Sequence, residues 1–264
     1  MKEISSKDNK IFKEVMSLKE KKYRDKLGLY LIEGWNLLEE ATKNDVQIVN
    51  VFICPEVIEH MVKTDENFVA PAVALNNVFE LSSNLFKRLS DTETSQGIIA
   101  VVKKKEQPNQ FNKQGSCFIC LDRLQDPGNI GTILRTADAA GYSLAIIMKG
   151  TADIYSPKVV RAATGSLFRM PVVFMDDADE LKSFTLTAGK KIVTTTMDGS
   201  SVYYEEDLSK DICLVIGNEG NGISDEILDL ADIKVRIPME GSIESLNASI
   251  AAGILMYERI RNAR

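Results

Sequence analysis

The chain has 264 residues, 44% of them hydrophobic and 27% charged, with a formal net charge of −6. That length can bury a real core without staples, and the balance excludes a fibrous, disordered or membrane-spanning protein. The four cysteines are scattered and the opening MKEISSKDNK has no apolar leader, so free thiols and the cytoplasm are expected.

Charge is unevenly spread. Residues 1–26 hold nine Lys/Arg against five Asp/Glu, whereas the acidic excess lies after residue 105. A basic amphipathic opening can track a phosphate backbone; it can equally be a solvated helix face laced with acid–base pairs. Ile11, Val15 and Leu18 mark one helix face, and Gly34–Ala41 (GWNLLEEA) reads as a second helix. Val46–Ile53 and Gly97–Val102 read as strands, with Trp35 expected in the core and His60 on the surface. Residues 1–105 therefore form a small α/β domain. Residues 106–116 are polar, contain Pro and Gly, lack periodicity and read as a linker.

From residue 117 onward, strand-like apolar runs alternate with helical patterns. The runs are Cys117–Leu121, Leu144–Met148, Val172–Phe174, Lys191–Thr196, Ile212–Ile216 and Ile233–Ile237. Ile130, Ile133, Leu134 and Ala137 share a helix face that Gly141 would stop, and Ser156-Pro157 opens another helix. Asp225–Leu230 and Ala248–Arg261 are helical. Continuous apolar strands alternating with helices predict a parallel sheet covered on both faces.

Ligands of such sheets bind beyond the carboxyl ends of the strands, where three loops stand out. They are DRLQDPGNIGTILR (122–135), LVIGNEGNGIS (214–224) and PMEGSIESLNAS (238–249). None carries the P-loop spacing, and the glycines of the second follow the wrong order for a dinucleotide fingerprint. A glutamate among those glycines also argues against a phosphate cradle. Cys117 and Cys120 have metal-ligand spacing, but in a strand they point to opposite faces, and no second ligand pair exists. No metal is expected. With His60 the one histidine, a Ser-His-Asp triad is excluded.

Taken together, DPGNIGTILRTADAAG, LVIGNEGNGIS and IPMEGSIESLNASIAAGILMYE resemble, in order and spacing, the three motifs of the SpoU/TrmH branch of the SPOUT superfamily. These are RNA ribose 2′-O-methyltransferases. LYLIEGWNLLEEA and LSDTETSQGIIAVV resemble the ribosomal-protein-like RNA-binding domain that many members carry in front, so the likeness covers most of the chain.

The resemblance implies a SPOUT domain over 117–264 with a deep trefoil knot, although general rules disfavour knots. It implies S-adenosylmethionine as cofactor, lined by Thr195, Thr196, Gly217, Ile237 and Leu246, with Met197 nearby. It assigns Arg135 to catalysis. A guanidinium does not deprotonate readily, so the expected role is to engage the RNA phosphate and stabilise developing alkoxide. Arg135 paired with Asp138 is the structural alternative. Asn129 is expected to cap the Arg135 helix and Glu219 to hold an arginine or a ribose hydroxyl. Ser245 and Asn247 are expected to cap the last helix or touch substrate. Lys13, Lys19, Lys21, Lys22, Arg24 and Lys26 are the candidate RNA contacts. The small residues Ala248, Ser249, Ala251, Ala252 and Gly253 suit close helix approach in a homodimer. Ribosomal RNA is the expected substrate ahead of transfer RNA, and a non-catalytic RNA-binding relative is the competing class.

Overall fold

The computed structural model describes residues 2–57, 77–105, 116–196 and 201–262. His60, Met197 and residues 106–115 of the linker expectation lie outside the described residues. Contacts divide the chain into two units, one of Met1–Lys105 with Tyr155–Phe168, the other of Glu106–Ile154 with Arg169–Arg264. A division at the 106–116 stretch does not foresee that Tyr155–Phe168 groups with the first unit.

The first unit runs β1 (Lys2–Ile4), α1 (Lys10–Ser17), α2 (Lys21–Leu27), β2 (Leu29–Glu33), α3 (Trp35–Lys43), β3 (Ile48–Ile53), β4 (Val78–Leu81), α4 (Ser83–Leu89) and β5 (Ile98–Lys103). Its sheet has the order β1-β4-β3-β5-β2, with β5 antiparallel to both β3 and β2. Asn9 starts α1 because its side-chain oxygen takes the Ile11 and Phe12 N–H groups, at 2.8 and 3.3 Å. Phe12, Val15 and Leu18 then face a core with Phe52, Phe79, Phe86 and Ile99. Trp35 is buried at the head of α3.

The stretch LSDTETSQG owes its order to one carboxylate. Glu33 accepts from the hydroxyls of Ser90 (2.6 Å), Thr92 (2.6 Å) and Ser95 (2.7 Å) and from Asp91 N–H (3.1 Å). Partial burial pushes its carboxyl up, but these four donors outweigh it and hold the group below its ordinary value. Within the same unit Tyr155 packs on Tyr30, ring centroids 4.9 Å apart, with Lys104 Nζ 4.5 Å above its ring.

The second unit contains β6 (Phe118–Leu121), α5 (Pro127–Ala139), β7 (Leu144–Met148), β8 (Val172–Met175), α8 (Ala178–Ala188), β9 (Lys191–Thr195) and β10 (Ser201–Val202). It continues with β11 (Ile212–Ile216), α9 (Asp225–Leu228), β12 (Ile233–Arg236) and α10 (Ala248–Asn262). Two short helices, α6 (Pro157–Ala163) and α7 (Ser166–Arg169), lie between β7 and β8 in the chain. All seven strands pair in parallel, in the order β10-β12-β9-β11-β6-β7-β8.

Every residue of β6, β7 and β11 is buried, which explains their unbroken apolar sequences. Each fully buried Leu, Ile or Val there contributes roughly 1.5–3 kcal/mol. Near the edges the pattern relaxes: β12 alternates, with Lys234 and Arg236 exposed, and Phe174 of β8 is exposed. The strand over 233–237 stops at Arg236, and Ile237 stands half-buried before Pro238, which has no N–H to extend a ladder. Cys117, Cys120 and Cys213 are buried free thiols. Burial pushes the Cys120 thiol well up, so it stays protonated.

Candidate active site

Strand order alone assembles the candidate cofactor residues. Thr195 ends β9, Thr196 follows it, Gly217 follows β11 and Ile237 follows β12, and these three strands are neighbours. Thr196 N–H bonds the Val235 carbonyl (3.1 Å), tying the ends of β9 and β12 together. Leu246 lies on the loop after β12.

The second motif is a closed turn. Asn218 and Gly222 exchange backbone hydrogen bonds at 2.9 Å each way, and Asn218 Oδ1 takes the N–H groups of Gly220 and Asn221 at 3.0 Å. A Cβ on Gly217 would stand 2.3 Å from the Gly222 carbonyl carbon and the Ile223 nitrogen. The space that glycine frees is thus filled by the turn's own backbone.

The cap of α5 is Asp126, not Asn129. Asp126 Oδ1 accepts the Asn129 N–H at 2.7 Å, with Pro127 at the first helical position. Asn129 is the third residue of that helix; it is buried, and its side chain reaches sideways. Its Nδ2 donates to Glu219 Oε1 (3.1 Å), and its Oδ1 accepts from Asn247 Nδ2 (3.0 Å). Glu219 also accepts the backbone N–H groups of Gln125 and Asp126 at 3.1 Å each. It therefore grips the positive, donor-rich entry to α5. Burial pushes the Glu219 carboxyl up, but the bonds from Asn129, Gln125 and Asp126 prevail and hold it below its ordinary value.

Asn247 Oδ1 meanwhile accepts from Ser249 N (2.9 Å) and Ser249 Oγ (2.6 Å), so Asn247 caps α10 while its amide joins Asn129. Through Glu219, Asn129 and Asn247 the three motifs form one hydrogen-bonded chain. Ser245 is exposed on the loop before that cap. Arg135 is exposed on α5, and Asp138 one turn on receives Arg169 Nε (2.9 Å) and Nη2 (2.8 Å).

Two side chains that the motif reading passed over complete the frame. Asp122 is buried and accepts the Ser224 N–H (2.7 Å), locking the first loop to the second. Gln125 Nε2 donates to the Gly150 carbonyl (2.6 Å). The Asp-Pro dipeptide at 126–127 was the one legible sign of the true cap; long-range bonds such as Asp122–Ser224 leave no local pattern.

The donor set suits a cofactor without phosphate. The loop after β12 exposes Met239, Ile243 and Leu246, at 38%, 70% and 37% of their surfaces, beside strand ends that offer backbone groups. Apolar side chains and backbone donors match an adenosine and an amino-acid tail.

The amino-terminal cations are placed less uniformly. Arg24 is buried and donates to the carbonyls of Leu18 (2.6 Å) and Lys19 (2.8 Å), so it closes the α1–α2 turn and is withdrawn from the RNA candidates. Lys13 pairs with Asp8 (2.7 Å), Lys19 with Asp91 (3.2 Å), Lys22 with Glu20 (3.4 Å) and Lys21 with Asp25. Lys26 is exposed.

Residues 116–257 match the SpoU rRNA Methylase family model, and residues 9–100 match the MRM3-like substrate binding domain. The chain is 35% identical to the 23S rRNA (guanosine(2553)-2′-O)-methyltransferase RlmP of Bacillus subtilis (strain 168), over 97% of this chain and 98% of that one. It is 40% identical to the 23S rRNA (uridine(2479)-2′-O)-methyltransferase of Streptomyces viridochromogenes, over 54% and 52% of the two chains. An AdoMet-bound rRNA methyltransferase from Sinorhizobium meliloti superposes with a TM-score of 0.85 at 32% identity, covering 100% and 98% of the two chains.

Proposed function

The chain belongs to the SpoU rRNA methylase family and is an S-adenosylmethionine-dependent RNA ribose 2′-O-methyltransferase, and from that premise we propose that its substrate is ribosomal RNA of the large subunit, in the cytoplasm. The observation that carries the reading is the hydrogen-bonded chain Glu219–Asn129–Asn247, which joins all three motifs at the start of the helix that carries the exposed Arg135.

Thr195, Thr196, Gly217, Ile237 and Leu246 hold the cofactor, through backbone groups at the strand ends and the apolar loop. Bound there, S-adenosylmethionine supplies an electrophilic methyl group on a sulfonium. Arg135 engages the phosphate beside the target ribose and stabilises the oxygen as it gains charge. The guanidinium keeps its own proton throughout. Glu219 is a poor base, since its donors favour the ionised form, so the hydroxyl proton passes to water. Glu219 and Asn129 fix the start of the helix that carries Arg135. Ser245 meets the substrate from the loop ahead of α10. The division of labour follows the sequence: residues 1–105 grip RNA, with Lys13, Lys19, Lys21, Lys22 and Lys26 toward its backbone, and 117–264 transfer methyl through a knotted SPOUT fold.

A homodimer is part of the proposal. Ile250 and Tyr257 stand exposed one heptad apart on α10, and a Cβ on Gly253 between them would meet nothing within 4 Å. Ala252, by contrast, is buried in its own chain. Sedimentation of the intact protein and of Tyr257→Glu tests this; an unaltered protein that runs as a monomer refutes it.

Transfer of labelled methyl to deproteinised ribosomal RNA, followed by alkaline hydrolysis, tests the function. Label in a dinucleotide that resists alkali is expected, because a 2′-O-methyl group blocks cleavage at its own phosphate. Label on a base, or on transfer RNA in preference, overturns the reading.

A further inference from the structure

Arg123 sits in the first motif loop in a conformation that arginine seldom adopts, with φ at +57°. The surroundings hold it there. Its N–H donates to Thr151 Oγ1 (3.0 Å), itself bonded to the Leu121 carbonyl (2.9 Å). Its carbonyl accepts from Asn218 Nδ2 (2.8 Å) and Gln125 Nε2 (3.0 Å). The stem lies against Gly150, where an added Cβ would come within 3.1 Å of Arg123 Cγ. Left-handed backbone for a bulky residue marks a place where the rest of the structure imposes the geometry.

The head group is only half used. Asp122 Oδ1 lies 3.3 Å from Arg123 Nε, yet Nε is buried and makes no hydrogen bond. Among the described residues nothing else engages the guanidinium, and 43% of the side chain is exposed. The buried carboxylate orients the fork, and the outer edge is left for a partner. That partner is negative and planar-fork compatible: a carboxylate or a phosphate.

Position decides between them. The cofactor set occupies the ends of β12, β9 and β11, and β6 is next in the sheet, followed by β7. Arg123 leaves the end of β6 and leans on the loop after β7. Its carbonyl touches Asn218 beside β11 while its stem rests on Gly150 after β7, so it stands on the β6–β7 side of the sheet, farther from β9 and β12 than the turn at 217–224 is. A nucleic-acid acceptor crossing the first motif brings phosphates there. We propose that Arg123 is a second RNA-phosphate contact at the mouth of the active site, holding the backbone near the target ribose while Arg135 serves the reacting nucleotide. The inference rests on the RNA methyltransferase reading.

Arg123→Gly is the informative variant, because glycine accepts φ +57° without strain and the loop keeps its shape. Binding to deproteinised ribosomal RNA is measured over a salt series, beside S-adenosylmethionine binding, thermal midpoint and turnover. Expected are a roughly tenfold loss of RNA affinity with a matching rise in KM, and a log–log salt slope shallower by about 1. Turnover, cofactor affinity and midpoint should stay within about twofold or a degree or two of the unaltered protein. Arg123→Lys, which keeps charge but not the fork, should recover part of the affinity and the full slope. Unchanged RNA affinity and slope overturn the proposal. So does a joint fall in cofactor affinity and midpoint, which would make Arg123 structural. If the unaltered protein transfers no methyl to this RNA, the function itself fails and the inference with it; a variant equal to an active wild type sinks Arg123 alone.

Discussion

The second and third motif loops leave the strands on either side of β9, and they are finished by different means. The turn at 217–224 is closed by its own chain: Asn218 binds Gly220, Asn221, Gly222 and Arg123, and Ser224 is tied to Asp122. The loop at 238–247 instead turns Met239, Ile243 and Leu246 outward and is secured at its end by Asn247. One loop exists to hold Glu219 against α5. The other exposes apolar surface that a ligand would cover. The first of these is thus built before any ligand arrives, and the second is the one that, in the proposed function, gives its apolar surface to the cofactor.

That contrast breaks most visibly at Arg135, which the built half aims in the proposed mechanism. Arg135→Ala should lower single-turnover methyl transfer by about a thousandfold, the scale of losing a charged transition-state donor. Cofactor affinity, which the proposal assigns to the other loop, should change less than about twofold by equilibrium dialysis. Retention of a tenth of the activity would remove Arg135 from the mechanism.

Gly217→Ala attacks the built half itself. Its new Cβ would meet backbone at 2.3 Å, and backbone cannot swing aside as a side chain can. A cost of about 2–3 kcal/mol is expected, seen as a fall of roughly 5–10 °C in thermal midpoint without cofactor present. A midpoint within 2 °C or so of the parent would show that the turn is softer than its hydrogen bonds indicate. Leu246→Ser attacks the other loop. Only 37% of that leucine is exposed in the free protein, so the midpoint without cofactor should fall, but by less than for Gly217→Ala. Cofactor affinity should weaken about tenfold, as expected for losing much of one buried leucine. Equal cofactor affinity would mean that the loop takes no part in binding.

The sheet that positions both loops was legible because period and burial coincide. LAIIM and ICLVI are apolar throughout since β7 and β11 are covered on both faces. Elements with mixed exposure were harder to read. α8, ADELKSFTLTA, buries only Leu181, Thr185 and Ala188, and β2 was passed over although LYLIE contains three buried residues. The candidate site residues were named from the likeness of three loops to a family, and one structural role among them was misassigned. Asn129 was expected to cap a helix that Asp126 caps, and the hold of Glu219 on the helix N–H groups was not foreseen. Which partner a side chain chooses 90 residues away in sequence, as Asn129 chooses Glu219, is set by the register of β6 against β11 and leaves no mark in the local sequence.

The smallest effects are expected in the amino-terminal cations. Lys22 lies on the surface with Glu20 3.4 Å away and the Tyr23 ring 4.7 Å from its Nζ. Exposed pairs of this kind contribute about 0–1 kcal/mol, so Lys22→Ala should leave the thermal midpoint almost unmoved. Its neighbour acid already offsets part of its field, so RNA affinity should fall only about twofold to threefold at moderate salt. Glu20→Gln, which frees the lysine, should move affinity the opposite way by a similar factor, and added salt should erase both changes. If Lys22→Ala alone cost tenfold or more, RNA would have to displace Glu20 on binding, and the amino-terminal face would rank with Arg123 as a principal anchor.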